Sequence, residues 1–112
     1  MITLKTLPSA TAQQVFDQVK THLLSQMEMS GEIFCLYRGP RGLKCAAGCL
    51  IADDEYRPEF EGKRWSDLVG KGKIPKEYSE LIVKLQEVHD YKEPEDWEEE
   101  LKSVAEKFNL KY

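Results

Sequence analysis

Three stretches of this chain repeat apolar residues at intervals of three and four, and that spacing commits most of it to amphipathic helix. Val15, Phe16, Val19, Leu23 and Met27 mark the first stripe, Tyr78, Leu81, Ile82, Leu85 and Val88 the second, and Trp97, Leu101, Val104 and Phe108 the third. The punctuation agrees. Thr11 followed by Gln14 completes a capping box, so the first helix is expected from about Ala12 to Gln26, with Ser30-Gly31 ending it. Pro75 and Pro94 stand where proline opens a helix, and Glu95 and Asp96 complement the dipole of the last one. Glu98 and Lys102 are spaced to pair on its wet face.

Between the first two stripes the pattern changes. Glu32–Arg38 is rich in β-branched, aromatic and apolar residues over a strand-like length. Gly39-Pro-Arg-Gly42 has the composition of a turn, and Leu43–Cys45 reads as a returning strand. Residues 1–8 read as a short strand or extended arm ending at Pro8, with residues 1–6 available as a third strand. Cys45–Ala52 fits either a continued strand or a short helix of small residues, and the helix is favoured because Ala46, Ala47 and Gly48 permit close approach of a neighbour. Residues 53–64 read as an ordered loop, and Trp65–Val69 as a single turn capped by Ser66. The expected fold is therefore α+β: one domain over residues 1–112, with three main helices packed on a small antiparallel β-hairpin or sheet. A two-stranded hairpin is marginal alone, so helix faces must cover it. The expected core is Val15, Phe16, Val19, Leu23, Phe34, Leu36, Cys45, Leu50, Leu81, Ile82, Leu85, Trp97, Leu101, Val104 and Phe108.

Charge narrows the function classes. The 112 residues carry a net charge of −4, against the basic balance of a general nucleic-acid binder. Residues 1–49 hold +2 and residues 50–112 hold −6. Lysines interleave the acidic half, which argues against a DNA mimic. The first residues lack the long apolar run of a secretory signal, and no stretch approaches the ~18 apolar residues of a membrane span. Three cysteines make a poor disulfide framework and fit a reducing cytosol, so a cytoplasmic protein is expected.

Several residues could carry chemistry. Cys45 and Cys49 are spaced to share one helix face, and with Cys35 and His22 or His89 they could offer soft ligands to zinc. The spacing is not that of a zinc knuckle, and small buried residues is the favoured reading. Cys45 could also act as a nucleophile if one of the two histidines stood beside it. Asp53, Asp54, Glu55, Glu59 and Glu61 could bind a hard cation, but they lack a calcium-loop pattern and read as a solvated acidic loop. Arg38, Arg41 and Lys44 make a basic knob at the hairpin tip, able to clamp an acidic partner. Tyr37, Tyr56, Phe60 and Trp65 cluster nearby in sequence; they are expected as core caps, or as an interface if exposed.

The run Tyr37-Arg-Gly-Pro-Arg-Gly-Leu-Lys-Cys-Ala-Ala-Gly-Cys-Leu-Ile-Ala-Asp-Asp-Glu-Tyr56, with Pro58–Gly62 after it, resembles a group of small uncharacterised proteins of bacteria and their phages. The resemblance extends to the first helix and the final Pro-Glu-Asp-Trp helix. Ala52 stands where that group would have proline. The resemblance implies a bacterial or phage setting and an intracellular site, and it transfers no catalytic residue.

Together these features lead to the expectation of a small non-enzymatic protein-interaction module, encoded by a phage or prophage and modulating a host protein. Its interaction patch would comprise Tyr37, Arg38, Arg41, Lys44, Tyr56, Phe60 and Trp65. No cofactor, no membrane and no direct nucleic-acid contact is expected. The alternatives are a cysteine-centred metal protein or thiol enzyme built on Cys45 and Cys49, and a modulator of a nucleic-acid-binding protein.

Overall fold

Thr11 does what its position promises. Its hydroxyl accepts from the Gln14 N–H at 3.1 Å, the Gln14 side chain accepts from the Thr11 N–H at 2.9 Å, and α1 runs Ala12–Gln26. The helix stops earlier than Ser30-Gly31. Met27 takes the left-handed conformation at φ 52° and its N–H caps Leu23. The computed structural model describes residues 1–31 and 36–112. Three further helices follow: α2 (Trp65–Gly70), α3 (Ser79–Tyr91) and α4 (Trp97–Lys107). Pro75 does not open α3; Tyr78, left-handed at φ 60°, stands before its first turn. Pro94 opens a 3-10 turn, Pro94–Asp96, that leads into α4. At α2 the residue before the helix is Arg64, whose N–H is taken by Asp67 at 3.3 Å, rather than Ser66.

The three long helices pack on one another, α2 packs on α3, and the cysteine segment lies over α1 and α3. The stripes read from the sequence form the core. Val15, Phe16, Val19, Leu23, Cys45, Leu50, Leu81, Ile82, Leu85, Trp97, Leu101 and Val104 are all buried. Leu36 and Phe108 are half-buried, and Phe34 lies outside the described residues. Burying a Leu or Phe side chain contributes about 1.5–3 kcal/mol, so these stripes carry the fold.

The α+β expectation is corrected: among the described residues the chain is helical, with no strand and no sheet. The expected first strand falls partly on residues 32–35, outside the described residues. Leu36–Arg38 and Leu43–Cys45 form no ladder, and residues 1–8 make a turn and a 3-10 turn at Leu7–Ser9. The tip is a 3-10 turn, Pro40–Gly42, closed by the Gly39 N–H on Leu43 O at 2.7 Å. The cysteine segment is a 3-10 turn, Ala47–Leu50.

The missing ladder has a physical explanation. Buried backbone groups must be paired, and here side chains pair them. Gln26 brackets Lys44, accepting from its N–H at 3.0 Å and donating to its carbonyl at 2.8 Å, as a neighbouring strand would. Gln18 does the same to Ile2, at 2.7 and 2.9 Å, and also donates to Cys49 O. Glu55 accepts from the N–H groups of Leu4, Lys5 and Ala52. Burial alone would raise the Glu55 carboxyl, but those three N–H groups outweigh it and hold the group below its ordinary value.

Candidate functional site

The residues expected at an interaction patch divide into three sets. Tyr37, Phe60 and Trp65 are buried. Arg38 and Tyr56 belong to an internal clamp around Glu61. The Glu61 carboxylate accepts from the Tyr37 N–H at 2.9 Å, the Arg38 N–H at 3.1 Å and the Tyr56 hydroxyl at 2.7 Å. Burial, then that bond to Glu61, pushes the Tyr56 phenol up to about 12. The Arg38 guanidinium lies over the Tyr56 ring and donates to Gly48 O at 2.9 Å, Ile51 O at 2.6 Å and Asp53 at 3.2 Å. Charged hydrogen bonds contribute about 1.5–3 kcal/mol each, so the clamp is a means of folding the cysteine segment against Tyr37.

The basic knob is largely committed. Lys44 approaches Asp53 at 4.0 Å, and Arg41 pairs with Glu28 at 3.0 Å on the exposed tip. Asp53, Glu55 and Glu61 are thereby spent within the fold rather than gathered around a cation.

The cysteine readings find little geometry. Cys45 is buried and its sulfur accepts the Gly48 N–H at 3.3 Å; the Cys49 thiol donates to Ala46 O at 3.1 Å. Burial pushes the Cys49 thiol up to about 12, far from the thiolate a nucleophile needs. His22 bonds Lys44 O at 2.9 Å through Nε2, and burial lowers its pKa from the ordinary value. His89 is fully buried, stacked on Trp97, accepting from the Ser30 N–H at 3.0 Å and meeting Asp90 at 2.9 Å. Among the described residues no group of three or more His, Cys, Asp or Glu side chains is arranged to hold a metal; Cys35 lies outside them.

Tyr37 also lines an open cleft. Its volume is about 420 Å³, within the roughly 300–1,000 Å³ usual for ligand sites. Tyr37, Trp65 and Val83 supply its apolar and aromatic lining, Lys63 and Arg64 come from the segment leading into α2, and Gln86, Glu87, Asp90 and Tyr91 from α3. Trp65 is only 2% exposed, and its indole Nε1 has no acceptor among the described residues. A buried donor left unmade costs about 1–3 kcal/mol, so this group calls for an explanation. Tyr91, by contrast, is 76% exposed at the end of α3.

Two of the seven patch residues, Tyr37 and Trp65, therefore reach the cleft, and the remainder of its lining was missed. A signal existed. Val83, Gln86, Glu87, Asp90 and Tyr91 recur at i, i+3, i+4, i+7 and i+8, a continuous second face of α3 beside its buried stripe. No helix among the described residues is long and apolar enough to cross a membrane. Comparison with family models, with curated proteins and with solved structures finds no match to this chain.

Proposed function

We propose that this chain is a small non-enzymatic protein-interaction module of the cytoplasm that docks a partner protein in the cleft between Trp65 and α3. The observation that carries the reading is the combination at one open cleft of the Tyr37 and Trp65 rings with the exposed Tyr91. Tyrosine, tryptophan and arginine are the residues most enriched where protein interfaces draw their energy, and Tyr91, Trp65 and Arg64 meet here. The site first expected at the hairpin tip is less suited, because Arg38 and Lys44 are engaged within the chain. The resemblance to small bacterial and phage proteins supports a host protein as the partner.

The test places a photo-crosslinking amino acid at Tyr91 in the full chain, expressed in a bacterial host, with the same probe at Glu106 on the exposed side of α4 as the control. A discrete adduct from position 91 and none from 106 is the expected result. Equal labelling from both positions, or none, would remove the docking reading.

A further inference from the structure

We propose that the cleft face is self-complementary, and that two copies of this chain close on each other there about a twofold axis, α3 beside α3. The proposal concerns the same cleft as the docking reading but stands without it.

Its basis is the way charge is divided at the cleft. The cations of the lining, Lys63 and Arg64, come from the segment leading into α2, and the carboxylates, Glu87 and Asp90, from α3. Both signs line one cleft, yet among the described residues neither Lys63 nor Arg64 forms an ion pair. Glu87 meets Lys84 of its own helix at 3.3 Å, and Asp90 meets the neighbouring His89 at 2.9 Å. The division continues along each element. Residues 63–76 hold Lys63, Arg64, Lys71, Lys73 and Lys76 against Asp67 alone, whereas residues 93–100 hold Glu93, Glu95, Asp96, Glu98, Glu99 and Glu100 with no cation. Lys71, Lys73 and Lys76 are exposed and in no ion pair among the described residues, and the same holds for Glu93, Glu95 and Asp96. The basic turn has a defined shape. Gly72, left-handed at φ 70°, brings its N–H to Val69 O at 3.0 Å and the Lys73 N–H to Leu68 O at 2.9 Å, which closes the end of α2 and holds Lys71 and Lys73 beside it.

Shape adds to charge. Tyr91 lines this cleft and also a second groove of about 270 Å³ between α3 and α4, so an exposed ring borders two depressions. A partner that fits this face must bring carboxylates to Lys63 and Arg64, cations to Glu87 and Asp90, and a recess for Tyr91. A second copy has all three. In a twofold contact the group at one position meets a second position and the reverse holds on the other side of the axis, so a face with its two signs on separate elements satisfies itself twice. Exposed ion pairs add little affinity but penalise a wrong orientation, while the covered aromatic ring supplies buried area.

The experiment measures the mass of the purified full chain by sedimentation equilibrium over roughly 10 µM to 1 mM, the range of weak association. The mass is expected to rise from one chain toward two. Arg64→Glu and Glu87→Arg each set like charge against like across the axis, and each alone should weaken the association at least about tenfold. Mixed one to one, the two variants should restore it, because each offers the sign that the other lacks; a variant that merely misfolds gives no such rescue. Glu106→Arg, at an exposed position of α4 outside both depressions, should leave the association unchanged. A single-chain mass throughout, a dimer that both reversals leave intact, equal weakening by Glu106→Arg, or a mixture no heavier than its parts would each overturn the proposal. Docking is read separately. A host-protein adduct from position 91 beside a monomeric purified chain removes only the dimer, and a dimer whose position-91 adducts contain only this chain removes only the host partner.

Discussion

Adding one methyl group at Gly48 tests the clamp that replaces the expected hairpin. A Cβ built there lies 2.4 Å from Tyr37 O and 3.2 Å from both the Tyr37 carbonyl carbon and its Cα. Ordinary contact begins near 3.4 Å, so the two segments must part by about 1 Å. The obstacle is backbone, which no rotamer change can move aside. The Arg38 guanidinium closes over the same place, donating to Tyr37 O at 3.3 Å and Gly48 O at 2.9 Å, so parting the segments also stretches its bonds. Overpacking of this kind costs about 1–3 kcal/mol, and the backbone contact puts Gly48→Ala in the upper part of that range. For a domain of this size the midpoint of thermal unfolding should fall by about 10–20 °C. Gly70→Ala is the control, because a Cβ there meets nothing within 4 Å. Placed at the end of α2, it should be neutral or add up to roughly 1 kcal/mol by restricting the unfolded chain. Both are read by far-ultraviolet circular dichroism during heating. A Gly48→Ala midpoint within about 3 °C of the parent would refute the close approach and the clamp with it.

Three further outcomes follow from the same geometry. Burial lowers the His22 pKa below its ordinary value of 6.5, so the folded state resists the proton that the unfolded chain accepts; stability present above pH 6.5 should be lost as pH falls below it, and urea midpoints of His22→Gln should slope less over that window than the parent's. Trp65→Phe and Trp97→Phe remove similar volumes, but only the second removes a made hydrogen bond, to Lys92 O, and the stack on His89. In denaturant titrations Trp97→Phe should therefore cost about 1–2 kcal/mol more than Trp65→Phe, and equal costs would count against the orphaned donor. With its thiol pushed up to about 12, Cys49 should resist iodoacetamide at pH 8 in the native protein and react on unfolding, as peptide mapping by mass spectrometry would show; rapid native labelling would revive a reactive-thiol reading.

The hairpin expectation failed for a reason that the residues around Lys44 make plain. Leu36–Arg38 and Leu43–Cys45 have strand composition, but strand propensity reports fitness for a half-buried pleated surface rather than a pairing partner. The partner here is not backbone. Gln26 brackets Lys44, Glu61 takes the Tyr37 and Arg38 N–H groups, and Gln86 takes that of Ala47. In the sequence those residues look like ordinary polar positions, and nothing in their spacing shows that each meets a distant main chain.

The candidate site divides along the same line. That α3 has a second face, Val83 to Tyr91, is written in a local repeat, and so are the Thr11 capping box and the stripes that became the core. Local periodicity decides such features because it depends only on helix geometry. Which donors stay uncommitted depends on contacts between elements. Arg38 and Arg64 are alike as letters, yet one is spent on Gly48 O, Ile51 O and Asp53 and the other stands beside a cleft. Trp97 finds Lys92 O, and Trp65 finds no acceptor among the described residues. The sequence determined where the helices lie and which faces they bury; tertiary packing decided which polar groups were satisfied, because a hydrogen bond needs a partner that only the folded chain brings within reach.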